Sequence, residues 1–144
     1  MGNSVEATTA SNLGVKTIDH VTLVVSELER SREFYAGLLG MEEKPRPDFG
    51  FPGLWFQAGN TQIHLNIESE EAGTAGLTYN AGQITRALHV AFSVDDADAA
   101  ADILREKGVE IIAGPRKRPD GAVQLYILDP DGHQIEITSP PPAS

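Results

Sequence analysis

Two stretches decide the fold: residues 17–41, TIDHVTLVVSELERSREFYAGLLGM, and residues 87–109, ALHVAFSVDDADAAADILREKGV. Each begins with a β-branched, apolar run that predicts a buried strand. Each continues with apolar residues at helical spacing and stops at a glycine, Gly40 or Gly108. Glycine is the residue most favoured just after the end of a helix. The chain is therefore expected to contain two halves that are built alike.

The segments after the two helices also match each other. Residues 54–67, LWFQAGNTQIHLNI, and residues 123–138, VQLYILDPDGHQIEIT, each consist of two apolar runs separated by turn residues, which predicts two β-hairpins. Weaker strands are expected at residues 42–44 and 109–113. Each half then has the order βαβββ, an open sheet whose apolar face needs a cover. The predicted class is α+β, with two βαβββ modules packed around a cleft.

These patterns also give the domain boundaries. We expect a single domain with an N-terminal tail at 1–14, module 1 at about 15–68, a linker at 69–84, module 2 at about 85–139 and a C-terminal tail at 140–144.

Short motifs predict the helix ends and one turn. Ser26 with Glu29 forms a capping-box pattern for the first helix, and Asp95 stands in the N-cap position of the second. Residues 129–132, DPDG, need only a tight turn, so His133 after them is expected in solvent.

Composition excludes several classes of function. The net charge of −10 over 144 residues would repel a phosphate backbone, so nucleic acid is not an expected partner. No apolar run reaches the ~18 residues of a membrane helix, and the first residues lack a signal-peptide pattern, so a cytoplasmic location is expected. Because the chain has no cysteine, any metal would be held by nitrogen and oxygen donors.

Four residues stand out when one half is aligned on the other. His89 follows His20 by 69 residues, and Glu136 follows His64 by 72, so they fall at two pairs of equivalent positions. Buried ionised groups are costly unless they are paired or bound to a cation. A divalent metal site with the ligands His20, His64, His89 and Glu136 is therefore predicted, for Ni, Zn, Co, Fe or Mn.

The sequence resembles the vicinal oxygen chelate superfamily over nearly all of residues 17–139. The matching stretches are DHVTLVVSELERSREFYAGLLGM, TQIHLNI, ALHVAFSVDDADAAADILREKGV and YILDPDGHQIEI. In that superfamily the first and last strands of each module supply the metal ligands, and the resemblance carries this role to the same four residues. It implies a glyoxalase I-like lyase or isomerase, in which a divalent metal chelates vicinal oxygens and stabilises an enediolate.

The resemblance leaves other activities open. His64 stands where a usual glyoxalase I has a second glutamate, while His20, His89 and Glu136 match the ligands of extradiol dioxygenases and fosfomycin-resistance transferases. A non-catalytic drug- or metabolite-binding protein, like the bleomycin-resistance members, is a further alternative with the same fold.

The lyase interpretation predicts a role for each of several residues. Glu136 is the expected catalytic group that moves a proton. Arg46, in the segment RPDFGFPGLW, is expected to bind an acidic end of a small substrate, next to Phe51, Trp55 and Tyr126 as cleft walls. A homodimer is expected, because pairing covers exposed sheet edges. Whether the metal site lies within one chain or across a dimer is left open by the sequence.

Overall fold

The computed structural model describes residues 11–76 and 86–141, and within these residues the chain forms two four-stranded sheets. The elements of module 1 are β1 (His20–Val25), α1 (Leu28–Arg32), a π-helix (Glu33–Leu38), β2 (Glu42–Lys44), β3 (Gly53–Ala58) and β4 (Thr61–Ile67). The elements of module 2 are β5 (Val90–Ser93), α2 (Ala97–Glu106), β6 (Ala113–Lys117), β7 (Val123–Leu128) and β8 (Gln134–Ser139).

Both sheets have the same topology. Their strand orders are β1-β4-β3-β2 and β5-β8-β7-β6. The β1–β4 and β5–β8 pairs are parallel, and the remaining pairs are antiparallel. The predicted α+β class with two βαβββ modules, and both predicted hairpins, are therefore confirmed.

Alternation along the strands separates an apolar face from a polar one in each sheet. In β4, Ile63 and Leu65 are buried while His64 between them lies on the opposite face. In β8, Ile135 and Ile137 belong to the core, and Glu136 points the other way. The buried apolar side chains of both modules form one cluster: Val25, Phe34, Tyr35, Leu54, Phe56, Ile63, Leu65, Ala101, Leu104, Leu125, Ile127, Ile135 and Ile137.

The DPDG turn of module 2 is packed against module 1 instead of lying in solvent. The Tyr35 hydroxyl donates to Asp129 at 2.7 Å, and both residues are buried. His133 is only 5% exposed, and its Nε2 donates to the Val24 carbonyl at 2.8 Å. The expectation that His133 is solvated is wrong, because the second module packs this turn against the end of β1.

The packing of this turn against module 1 also shows that the predicted capping box is wrong. The Ser26 hydroxyl lies 2.6 Å from Asp131 Oδ1, and the backbone N–H of Ser26 donates to Asp131 Oδ2 at 3.1 Å. Ser26 is thus committed to a residue of the other module, and helix α1 begins after Glu27, which makes no side-chain cap. Glu29 instead pairs with Arg32.

Other boundaries differ by a few residues. The N-cap of α2 is Asp96, one residue after the predicted Asp95, and its carboxylate accepts from Ala99 N at 3.1 Å. Strand β6 starts at Ala113, where the expected strand at 109–113 was to end. A π-helix was not expected; it carries Phe34 and Tyr35, which are both buried.

Parts of the expected tails and linker, residues 1–10, 77–85 and 142–144, lie outside the described residues. In the described part of the chain, no helix has the length and apolar character needed to cross a membrane.

Candidate metal and substrate site

A stack of three rings covers the polar face of the first sheet. His64 lies between His20, at a centroid distance of 3.9 Å and an interplanar angle of 13°, and Trp55, at 4.2 Å and 7°. The strand register produces this stack, because Trp55 is opposite His64 in the β3–β4 pair and His20 pairs two residues away on β4. Three residues predicted for the site are therefore in contact.

Hydrogen bonds fix the ring of His64. Gln57 Nε2 donates to the Gly59 carbonyl at 2.7 Å, and Gln62 Nε2 donates to Gln57 Oε1 at 2.9 Å. This leaves Gln62 Oε1 as an acceptor, so His64 Nε2, 2.8 Å away, is the donor. Burial lowers the pKa of His64, and the neighbouring His20 lowers it further, which favours the neutral ring.

A second pair lies on the polar face of the other sheet. His89 precedes β5; its Nδ1 donates to the Ala87 carbonyl at 2.8 Å, and its Nε2 is 3.0 Å from Glu136 Oε1. The Tyr126 hydroxyl donates to the same Oε1 at 3.0 Å, and Gln124 Nε2 lies 3.3 Å from Oε2. The Glu136 side chain is only 8% exposed. Burial and this hydrogen bond to Glu136 both raise the pKa of Tyr126.

The four predicted ligands thus form two pairs. Among residues 11–76 and 86–141, no group of three or more His, Cys, Asp or Glu side chains is arranged to hold one metal ion. His20 on β1 is paired with His64 on β4, and His89, just before β5, is paired with Glu136 on β8. Within one chain, each module therefore carries half of the predicted donor set.

The His89–Glu136 pair fits a divalent metal. Because Nδ1 of His89 donates to the Ala87 carbonyl, Nε2 is the ring nitrogen that faces the carboxylate oxygen and would bind a metal. Two ligand atoms at ~2.1 Å from one ion lie about 3.0 Å apart at the right angle of an octahedral site and about 3.4 Å apart at the tetrahedral angle. The Nε2–Oε1 separation of 3.0 Å matches the octahedral value. Imidazole nitrogen with carboxylate oxygen suits Zn, Ni, Co, Fe and Mn.

The His20–His64 pair fits less directly. Nδ1 of His20 contacts Asp19 at 2.8 Å, which leaves Nε2 for a metal. An imidazole binds a metal in the plane of its ring, and the two rings are nearly parallel and 3.9 Å apart. One ion cannot lie in both planes. His64 would have to turn out of the stack and release Gln62 to become a ligand beside His20.

The residues predicted to bind substrate are divided between the sheets. Arg46, Phe51 and Trp55 belong to module 1, and the guanidinium carbon of Arg46 lies 4.9 Å from the Phe51 ring centroid. Tyr126 belongs to module 2 and is only 3% exposed. Its hydroxyl is used by Glu136, so Tyr126 orients the carboxylate and is not an open cleft wall.

Sequence reasoning did not single out Gln62 or Gln124. Gln62 lies two residues from His64 on β4 and therefore on the same face. Gln124 holds the same relation to Tyr126 on β7. Strand alternation around the predicted ligands was the signal that could have found them.

A groove of about 1130 Å³ runs between the modules on the other side of β1 and β5. It is mainly apolar, and its lining includes Val21, Leu38, Met41, Phe92, Ile103 and Leu104. His89 lines this groove, whereas His20, His64 and Glu136 do not. Of the four predicted ligands, the groove therefore reaches only His89.

The two sheets, each built as a βαβββ module, define a class of small proteins made of paired modules of this kind. The chain matches the family model described as Glyoxalase/Bleomycin resistance protein/Dioxygenase superfamily over residues 17–137. It belongs to this family, which confirms the resemblance noted in its sequence.

Known relatives cover most of the chain. A lactoylglutathione lyase from Escherichia coli O157:H7 is 34% identical over 128 residues, covering 82% of this chain and 88% of that protein. The crystal structure of a glyoxalase/dioxygenase from Nostoc punctiforme matches with a TM-score of 0.71 and 29% sequence identity. The match covers 99% of this chain and 100% of that chain. An antibiotic-binding protein from Streptomyces sp. CB03234 has a TM-score of 0.69 at 22% identity, covering 90% and 99% of the two chains, and shares the fold.

Proposed function

We propose that this chain is a metal-dependent, glyoxalase I-like lyase or isomerase that acts on a small molecule with two neighbouring oxygens. The observation that carries the proposal is the His89–Glu136 pair, in which His89 Nε2 and a buried carboxylate oxygen lie 3.0 Å apart. Relatives of this chain named lactoylglutathione lyase, at 30–34% identity, support the choice of reaction.

The primary ligands in this proposal are His20, His89 and Glu136. His64 is the fourth predicted donor and joins them only after its ring turns out of the stack. A bound divalent ion, Ni, Zn, Co, Fe or Mn, supplies a Lewis acid that polarises a substrate carbonyl and eases loss of the adjacent proton.

Glu136 moves that proton in the proposed reaction. Its Oε1 accepts a hydrogen bond from Tyr126 at 3.0 Å and faces His89 Nε2 at the same distance, whereas Oε2 has only the longer contact of 3.3 Å with Gln124. Oε2 is therefore the atom that accepts the proton and returns it to the neighbouring carbon. Tyr126 keeps the carboxylate in place while this happens.

A complete site in this proposal draws one pair from each of two chains. The strands β1 and β5 are at the edges of their sheets, and the exposed apolar residues Ile18 and Leu88 lie next to His20 and His89. Covering these edges with a second copy of the chain brings β1 of one chain beside β5 of the other. A symmetric homodimer then has two equivalent sites. We expect this dimer in the cytoplasm.

Metal analysis of the purified protein, native mass spectrometry and a methylglyoxal–glutathione assay test the proposal together. We expect one divalent ion per chain, a dimer mass and isomerisation of the hemithioacetal, with the metal lost in Glu136→Gln. Stoichiometric metal without isomerisation removes the glyoxalase activity and directs the assay to catechols with O₂ or to fosfomycin with a thiol. A metal-free protein refutes the enzyme proposal.

The second candidate is a protein that sequesters a drug or metabolite without turnover. The observation that favours it is the aromatic face of module 1, where the ring stack of His20, His64 and Trp55 offers a flat surface to a planar ligand. The antibiotic-binding protein from Streptomyces shares this fold. Ligand binding to metal-free protein, with no product formed, distinguishes this role from the lyase.

A further inference from the structure

Arg46 is held in an unusual environment beside the ring stack. Its guanidinium carbon lies 4.9 Å from the ring centroids of both Phe49 and Phe51, and its Nη1 donates to the Phe51 carbonyl at 3.0 Å. Its Nε is buried and has no hydrogen-bond partner. No carboxylate in the described part of the chain forms an ion pair with it, although the protein carries a net charge of −10.

Gly53 makes room for this side chain. A Cβ at residue 53 would lie 2.8 Å from Arg46 Nε and 2.5 Å from the Leu65 carbonyl oxygen, closer than real Cβ contacts. Gly53 precedes Trp55 by two residues on β3, so both point to the face that carries His64. The guanidinium therefore lies over the polar face of module 1, about 7 Å along the strand from Trp55, which is one pleat repeat.

A partly desolvated cation without a counter-ion is stabilised only in part by aromatic rings, by about 0.5–2 kcal/mol. The planar guanidinium is well suited to a carboxylate, which it binds through two parallel hydrogen bonds. We propose that Arg46, lying over Gly53 between Phe49 and Phe51, binds a carboxylate of the substrate. This inference rests on the proposed function, since the other end of the same molecule carries the vicinal oxygens.

The geometry also limits the size of the substrate. One to two pleat repeats, about 7–14 Å, separate the guanidinium from the His20–His64 end of the sheet. The spacer between the two ends has that length, and it lies along the faces of Trp55 and Phe49, whose centroids are 6.0 Å apart. An aromatic or thioether spacer suits this wall better than a hydrated sugar. The substrate class is thus a carboxylic acid with vicinal oxygens at its far end.

Two matched chelators test the subsite. 4-Carboxybenzohydroxamate and its neutral 4-carbamoyl counterpart both offer vicinal oxygens to a metal and differ only in the group that would meet Arg46. Isothermal titration of the zinc-loaded full chain is expected to give at least tenfold tighter binding of the carboxylate compound. Arg46→Met should abolish this preference, and Arg46→Lys should retain part of it.

A control variant at a remote residue tests whether loss of any surface charge changes chelator binding. Arg105→Met, on the exposed side of α2, should change neither value. Equal affinity of the two chelators for the unmodified protein overturns the subsite and leaves the metal proposal standing. If neither chelator binds, both proposals fail.

Discussion

Replacing His64 by phenylalanine tests how the metal is held. The ring of His64 is stacked on both sides, and its Nε2 donates to Gln62 at 2.8 Å. An aromatic contact contributes about 0.5–1.5 kcal/mol and a hydrogen bond about 0.5–1.5 kcal/mol. Turning His64 toward a metal breaks two aromatic contacts and one hydrogen bond and therefore costs about 1.5–4.5 kcal/mol, which opposes its use as a ligand. Phenylalanine keeps the stack and removes both nitrogens.

We expect His64→Phe to weaken zinc binding by less than tenfold, which is about 1.4 kcal/mol. His89→Phe and Glu136→Gln should each weaken it by at least 100-fold, because they remove a primary ligand. Competition with a chromogenic chelator at pH 7.5 measures all three affinities on one scale. Electron paramagnetic resonance of the copper-loaded protein counts the coordinated nitrogens, and we expect two in both the original protein and His64→Phe.

Two results would show that His64 is a primary ligand: a loss of affinity in His64→Phe as large as that in His89→Phe, or a copper spectrum with three nitrogens that fall to two in the variant. His64 would then leave the stack at little cost. Circular dichroism of each variant controls for loss of the fold.

Three more predictions concern the assembly, the carboxylate and the contact between modules. Mixing the inactive variants His20→Phe and Glu136→Gln under conditions that exchange subunits should restore about a quarter of the activity. Half of the dimers are then mixed, and each mixed dimer contains one intact site of two. No recovery of activity would place the whole site in one chain. Tyr126→Phe should lower kcat about 10–100-fold with metal content retained, because the carboxylate loses its donor; unchanged kcat would deny Tyr126 a positioning role. Tyr35→Phe should lower the free energy of unfolding, measured by urea denaturation, by about 2 kcal/mol, because the buried Asp129 loses a charged hydrogen bond. The substitution Arg105→Gln, at an exposed residue, is the control and should change stability little.

Much of the fold follows from local patterns. The apolar runs around His64 and Glu136, with turn residues at their tips, predicted both hairpins, and alternation within them predicted which residues leave the core. The internal repeat predicted that His20 and His89 are equivalent, and also His64 and Glu136. These features depend on residues close in sequence or on a comparison of one half with the other, and the amino-acid sequence contains both.

The tertiary structure decided how the donors are grouped and which polar residues are buried. The repeat matched His20 with His89, but the sheet order sets β1 beside β4 and so puts His20 in contact with His64. Ser26 and His133 each bond to residues more than 100 positions away, at separations of 105 and 109. Such contacts replace the cap and the solvated turn that local patterns favour, because burial between modules outweighs local preference and is set by chain topology.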